Sequence, residues 1–219
     1  MPDELYTRQQ ELQLTTPDSV TIVGCGGVGS WVAILSAMSG VPRLFLFDPD
    51  TMEESNRNRL PFCQGSINRP KVDVVRDYIN TIRPDAVVVG IPEKLEGVLL
   101  NIQLSISNYV IECTDNPKSQ FTVYNACKKS GIRFIRAGYD GTHITVTSNV
   151  SGWINVDSAE ENYTVRPSWV VPSVTVAAMA VAKMMKWENQ EVSLDLSEIG
   201  IPVLHKRKPR LTDRCRTSR

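Results

Sequence analysis

Five short segments of this 219-residue chain carry groups suited to a phosphorylated ligand. Gly24-Cys25-Gly26-Gly27-Val28-Gly29 has the spacing Gly-x-Gly-x-x-Gly, between an apolar β-branched run and a helical pattern. In that setting the first glycine permits a tight turn, the second lets the backbone approach a phosphate, and the third lets the helix pack on the strand. Amides at the helix N-terminus would then meet phosphate oxygens. Asp48 closes the next strand, 19 residues after Gly29, where a carboxylate can accept from both ribose hydroxyls. To this point NAD fits as well as ATP.

The remaining stretches separate the two. Ser55-Asn56-Arg57-Asn58-Arg59 follows Asp48, Lys71 opens the next helix, and Thr114-Asp115-Asn116 follows a later strand. In an open α/β sheet such loops converge beyond the carboxyl ends of the strands. They supply several cations, an amide and a carboxylate. Hydride transfer has little use for so many phosphate-directed cations. Activation of a carboxylate by ATP needs them, because the triphosphate's charge must be neutralised and pyrophosphate stabilised as it leaves. Asp115 would hold Mg2+, a hard cation bound through one or two carboxylates and phosphate oxygens.

The elements that must position these groups follow from alternating apolar runs and helical patterns. Strands are predicted at 20–24, 43–48, 86–90, 108–113, 133–137 and 142–148. Helices are predicted at 28–39, where Trp31, Ile34, Leu35 and Met38 share a face, and at 71–82, which Pro84 stops. A further helix runs from about Lys118 to Ser130 and closes at Gly131. Another, Val174 to Met185, is apolar nearly all round. Ser151 to Ser168 reads as a long polar loop. The fold class expected is α/β: a Rossmann-like layered domain with a mostly parallel sheet, antiparallel C-terminal strands and helices on both faces. Residues 1–187 would form the adenylation domain, and 188–219 a C-terminal extension with a basic tail.

The chain resembles the MoeB/ThiF adenylyltransferases, bacterial relatives of ubiquitin-activating enzymes. The matching pieces are Arg8-Gln9, GCGGVGS at 24–30, FDPDTMEESNRNR at 47–59, RPK at 69–71 and CTDN at 113–116, in order from about Tyr6 to Met185. The resemblance implies that Gly24, Gly26, Gly27 and Gly29 form the nucleotide loop and that Asp48 binds the ribose. Asn56, Arg59 and Lys71 would contact the phosphates, and Asp115 would coordinate Mg2+ and position the attacking carboxylate. Arg8 would reach into a partner subunit's site, which implies a homodimer. The acceptor in such enzymes is the C-terminal glycine carboxylate of a small ubiquitin-like (β-grasp) or sulfur-carrier protein, and the products are an acyl-adenylate and pyrophosphate. Each residue also has a purely structural reading. Asn56 could cap its turn, Asp115 could cap the helix after Pro117, and Arg8, Arg57 and Lys71 could be solvated surface charges.

Departures from the family pattern are informative. The five cysteines, 25, 63, 113, 127 and 215, include no Cys-x-x-Cys pair, so no structural zinc is expected. No cysteine falls in 151–168, where some members place a nucleophile, so the chain is expected to stop at the adenylate. Tyr139, His143, Trp153, Tyr163 and Trp169 offer aromatic contacts to an acceptor protein or to the core. Formal net charge is zero, with 42% hydrophobic and 22% charged residues, so no overall field points to nucleic acid or membrane. The basic run from His205 to Arg219 makes a tRNA-bound or peptide carboxylate an alternative acceptor. A non-catalytic nucleotide-binding subunit is a third reading. No apolar run reaches the roughly 20 residues of a membrane span, and Met1 to Thr16 is polar, so a cytoplasmic location is expected.

Overall fold

The structure, a computed structural model, describes residues 2–60, 65–150 and 168–198. Its centre is a seven-stranded sheet in the order β3-β2-β1-β4-β5-β6-β7. The strands are β1 (Val20–Val23), β2 (Arg43–Phe47), β3 (Val87–Ile91), β4 (Tyr109–Glu112), β5 (Arg133–Asp140), β6 (His143–Thr147) and β7 (Val192–Asp195). The first five are mutually parallel, and β6 and β7 add antiparallel. The helices are α1 (Pro2–Leu5), α2 (Gly27–Met38), α3 (Lys71–Ile82), α4 (Gly97–Leu104), α5 (Pro117–Ser130) and α6 (Val170–Met185).

Alternation along the strands sends side chains to two cores. Ile22, Leu44, Leu46, Ile111 and Ile135 face α2, α3 and α6, meeting Val32, Val75 and Ala180. Val23, Phe47, Val110 and Phe134 face α4 and α5, meeting Leu100, Val123 and Cys127. Both faces of β1 and β4 are covered, so every residue of these strands is buried and all but Thr21 and Glu112 are apolar or aromatic, as suits central parallel strands.

The expected architecture is present. β7 extends the sheet beyond residue 187, so the segment from 188 contributes its last strand rather than only a tail. α6 begins at Val170, four residues before the predicted start, because Pro172 sits in the first helical turn, where a missing N–H costs nothing. Lys183, only 2% exposed, closes the turn from α6 to β7: its ammonium donates to the Glu188 carbonyl (2.6 Å), the Gln190 carbonyl and Glu191 Oε1 (3.2 Å). Among the described residues no helix is long and apolar enough to cross a membrane.

Candidate active site

Strand order reverses between β1 and β4, each of which leads into a loop at its carboxyl end. That is the switch point at which open α/β sheets hold ligands. A cleft of about 1170 Å³ lies there. It exceeds the 300–1,000 Å³ typical of one small-ligand pocket, leaving room for a second reactant. A smaller cavity, about 450 Å³, opens by Tyr109 and Arg133, the first residues of β4 and β5, and so lies at the amino ends of the strands.

The loop between β1 and α2 is built by its glycines. Gly24, at φ +85°, donates its amide to the Phe47 carbonyl at 2.7 Å, joining the loop to the end of β2. A Cβ at Gly29 would lie 1.7 Å from the Gly24 carbonyl oxygen, so only glycine lets α2 start this close to β1. A Cβ at Gly27 would lie 2.8 Å from Arg59 Cδ and 3.0 Å from Ser173 Oγ. Gly26 is different: nothing lies within 4 Å of its Cβ direction. Its open side belongs to the cleft wall.

Asp48, 6% exposed, is fixed at the end of β2 by the Cys25 amide (2.6 Å) and the Asp50 amide (2.9 Å). Burial pushes its carboxyl upward, and Lys71 and the two amides oppose the shift. Lys71 is the first residue of α3. Asp50 holds it twice, its carbonyl taking the Lys71 amide at 2.9 Å and its carboxylate the ammonium at 2.7 Å. Arg59 crosses over Gly27 and donates to the Ser55 carbonyl (2.9 Å) and Asn58 Oδ1 (2.8 Å). Its own carbonyl receives the Trp31 indole N–H from α2 at 2.9 Å.

Gly24, Gly26, Gly27, Asp48, Arg59, Lys71 and Asp115 therefore line one cleft, although the sequence spreads them over five segments. Three other expected residues stand elsewhere. Gly29 is used for helix-on-strand packing. Asn56 is buried, and its Oδ1 accepts the Glu53 amide at 3.1 Å in a capping box, so its neighbours Ser55 and Arg59 line the cleft instead. Arg8 is exposed on a 3-10 turn, Thr7–Leu12. That turn is docked at the far end of α2, where Gln9 Nε2 donates to the Ser39 carbonyl at 3.2 Å. Twelve residues of helix separate that end from the glycine loop, roughly 18 Å at 1.5 Å per residue. Arg57 is exposed and paired with Glu54.

Asp115 is exposed at the cleft mouth. The cap of α5 is Asn116, whose Oδ1 accepts the Ser119 amide at 2.9 Å. Among the described residues no group of three or more His, Cys, Asp or Glu converges on a metal position. One carboxylate beside a phosphate loop suits a magnesium ion that arrives on a nucleotide, since such ions keep several waters and take one or two carboxylates from the protein.

Sequence reasoning missed Arg136 and Glu112. Arg136 on β5 lines the cleft, its guanidinium laid over Gly138, where a Cβ would come within 2.9 Å of Nη2. Glu112 faces it across the β4–β5 ladder and is fully buried. Their signal was an acid closing one strand and a base within the adjacent one, each following apolar residues. Burial drives the Glu112 carboxyl up to about 8 from 4.5, against the opposing pull of Thr114 and Arg136. A carboxyl raised on folding binds a proton in the native state that the unfolded chain releases, so stability falls as pH rises from about 4.5 to 8. Urea melts at pH 5 and pH 8 should show this loss in the wild type and a smaller one in Glu112→Gln.

Of the cysteines, Cys25 and Cys127 are buried and Cys113 partly so. Burial pushes all three thiols up, Cys25 helped by the Asp48 carboxylate. None is primed as a thiolate. Cys63, Cys215, Trp153 and Tyr163 lie outside the described residues. Tyr139 lines the cleft and receives the Ser173 hydroxyl at 3.0 Å, while His143 is exposed and bonded to Ser193 at 3.0 Å. Trp169 is exposed at the N-cap of α6.

The fold and the cleft together define an α/β domain of the doubly wound class with a glycine-rich loop at its switch point. The chain belongs to the ThiF family, which it matches over residues 5–196. It is 33% identical over 139 residues to the tRNA threonylcarbamoyladenosine dehydratase of Haemophilus influenzae, covering 59% of this chain and 53% of that one. It is 30% identical over 132 residues to the sulfur carrier protein ThiS adenylyltransferase of Escherichia coli, covering 58% and 53%. The chain thus spans about half the length of these curated relatives. Its fold is that of E. coli MccB, in the crystal structure with MccA-N7isoASN, at a TM-score of 0.74 and 17% identity over 91% of this chain and 72% of that one.

Proposed function

We propose that this chain is an adenylation domain that uses ATP to activate the C-terminal glycine carboxylate of a small ubiquitin-like or sulfur-carrier protein. The observation that carries the reading is the meeting of Asp48, Arg59, Lys71 and Asp115 around one glycine loop. In this reading the loop amides and the start of α2 take phosphate oxygens. Asp48 accepts from the ribose hydroxyls, and Lys71 and Arg59 neutralise the phosphates. An acceptor carboxylate oxygen attacks the α-phosphorus, the bond to the β-phosphate's bridging oxygen breaks, and pyrophosphate leaves with that electron pair. Magnesium carried in with ATP and held at Asp115 would supply further charge neutralisation.

A small carrier protein as acceptor is supported by the E. coli relative named for ThiS and by relatives from Arabidopsis thaliana and other eukaryotes named ubiquitin-like modifier-activating enzyme 5. The absence of cysteine from 151–168 and the protonated state of the described thiols support a reaction that ends at the adenylate. Arg8 stands at the end of α2 remote from its own cleft, so a catalytic role for it requires a second copy of the chain. A homodimer follows from that role. The nucleotide is tested by thermal shift. ATP with Mg2+ should raise Tm by several degrees, about 2.7 kcal/mol at a hundredfold excess over Kd, and NAD should not. Equal protection by NAD would sink the assignment.

A second reading has one observation in its favour, the tRNA in the name of the H. influenzae relative. The same chemistry would then act on a tRNA-bound carboxylate, with the basic residues of 205–219 on the phosphate backbone. Removing 205–219 should weaken RNA binding and flatten its salt dependence. Unchanged affinity would set this reading aside.

A further inference from the structure

Glu112 is a fully buried carboxyl that the adenylation chemistry does not use. It stands on the α4/α5 side of the sheet, two residues after Val110, with Arg136 beside it on β5. Its Oε1 accepts both the amide of Thr114, at 3.3 Å, and the Thr114 hydroxyl. Among the described residues its Oε2 has no hydrogen-bond partner. Burying an acid in that state is costly, a cost that an apolar side chain at this position would avoid.

What it does is visible in the turn it holds. The Thr114 hydroxyl also receives the Asn116 amide at 3.4 Å, and the Thr114 carbonyl receives Gln120 Nε2 at 2.5 Å. Asn116 in turn caps α5. Both residues flanking Asp115 are thereby tied, Thr114 to the sheet through Glu112 and Asn116 to the helix. Thr114 also abuts the nucleotide loop. A Cβ at Gly24 would lie 3.0 Å from Thr114 Cγ2 and 3.1 Å from its amide nitrogen. The turn that stands against the glycine loop is therefore also the one that carries the Asp115 carboxylate, while the loop itself is tied separately to Phe47.

We infer that Glu112 is a positioning residue, which acts through Thr114 to fix where Asp115 stands relative to the glycine loop. This rests on the adenylation reading for its consequence in catalysis, but the positioning itself is a property of the nucleotide-free chain. The needed feature is a buried acceptor at the end of β4, so a neutral acceptor of the same shape should serve. Two side chains that remove one half of the contact without changing shape make the test. Glu112→Met keeps length and loses the acceptor. Thr114→Val loses the hydroxyl and keeps the methyl that faces Gly24.

The experiment is amide hydrogen exchange on the full chain without nucleotide, followed by ATP–pyrophosphate exchange kinetics. Glu112→Met and Thr114→Val should speed exchange of amides 113–116 by about tenfold or more while β1 and α2 keep their protection. Their kcat should drop about 30-fold with KM for ATP within about threefold, because a group aimed at the transition state has moved and the phosphate loop has not. Glu112→Gln should stay within about threefold of wild type in both. Should Glu112→Met fail to fold, the isosteric Thr114→Val decides. Wild-type protection at 113–116 in Thr114→Val, or a Glu112→Gln as damaged as Glu112→Met, would overturn the inference. A wild-type chain without pyrophosphate exchange would instead sink the adenylation reading, and the amide protection of the variants would still decide the positioning role.

Discussion

Gly29→Ala should cost the domain about 3 kcal/mol or more and abolish ATP binding, whereas Gly26→Ala should leave stability within about 0.5 kcal/mol and lower ATP affinity at least tenfold. The two glycines differ in what surrounds them. A methyl at Gly29 would meet backbone, the Gly24 carbonyl oxygen at 1.7 Å and its carbon at 2.9 Å. Gly24 cannot yield. Its amide is bonded to Phe47, its φ is +85°, and Thr114 stands against its other side. Relief would require lifting α2 off β1, which would open the core around Val32, Ala33 and Ala37. At Gly26 a methyl meets no protein atom within 4 Å, so the fold has no need of glycine there. A phosphate lying on that backbone does need it. Urea melts and calorimetric ATP titrations on both variants separate the structural glycine from the ligand-facing one. A Gly26→Ala variant that binds ATP as tightly as wild type would remove the phosphate from that side of the loop.

Asp115→Asn is expected to lower the ATP–pyrophosphate exchange rate by about 10²–10³-fold while leaving the melting curve unchanged. Stability is spared because the cap of α5 belongs to Asn116, and Asp115 is exposed at the cleft mouth. Asparagine keeps the shape and removes the charge, so the loss reports on the carboxylate alone. ATP affinity measured without Mg2+ should change little, and the gain in affinity on adding Mg2+ should shrink. Exchange at the wild-type rate in Asp115→Asn would assign the carboxylate no part in the chemistry.

Much of this fold is legible because its periods are clean. Val20–Val23 and residues 109–111 are mostly apolar, β-prone runs too short for helices, and Lys71–Ile82 has Val72, Val75 and Ile79 on one helical face, ended by Pro84. α4 escaped the reading because Gly97–Leu104 is short and almost uniformly apolar, without a polar face to mark its period. β7 escaped it because an edge strand is half exposed and needs no apolar run.

The cleft residues were legible by type, since glycine, acid and cation stand in a fixed order along the chain. Which of two neighbours faces the ligand was not. Asn56 and Arg59 fall in one polar run, and only the capping box at Glu53 turns the amide inward and leaves the guanidinium on Gly27. Likewise nothing in the sequence ties Trp31 on α2 to the Arg59 carbonyl, a contact set by how the 54–59 turn folds over that helix. Long-range contacts of this kind have no local signature.

The most direct test of the adenylation reading is ATP–pyrophosphate exchange by the full chain, given Mg2+ and a panel of β-grasp proteins ending in glycine. Radiolabel should pass from pyrophosphate into ATP with at least one acceptor, and removal of that acceptor's terminal glycine should stop it. Absence of exchange with every acceptor in the panel, from a chain that calorimetry shows to bind ATP, would contradict it.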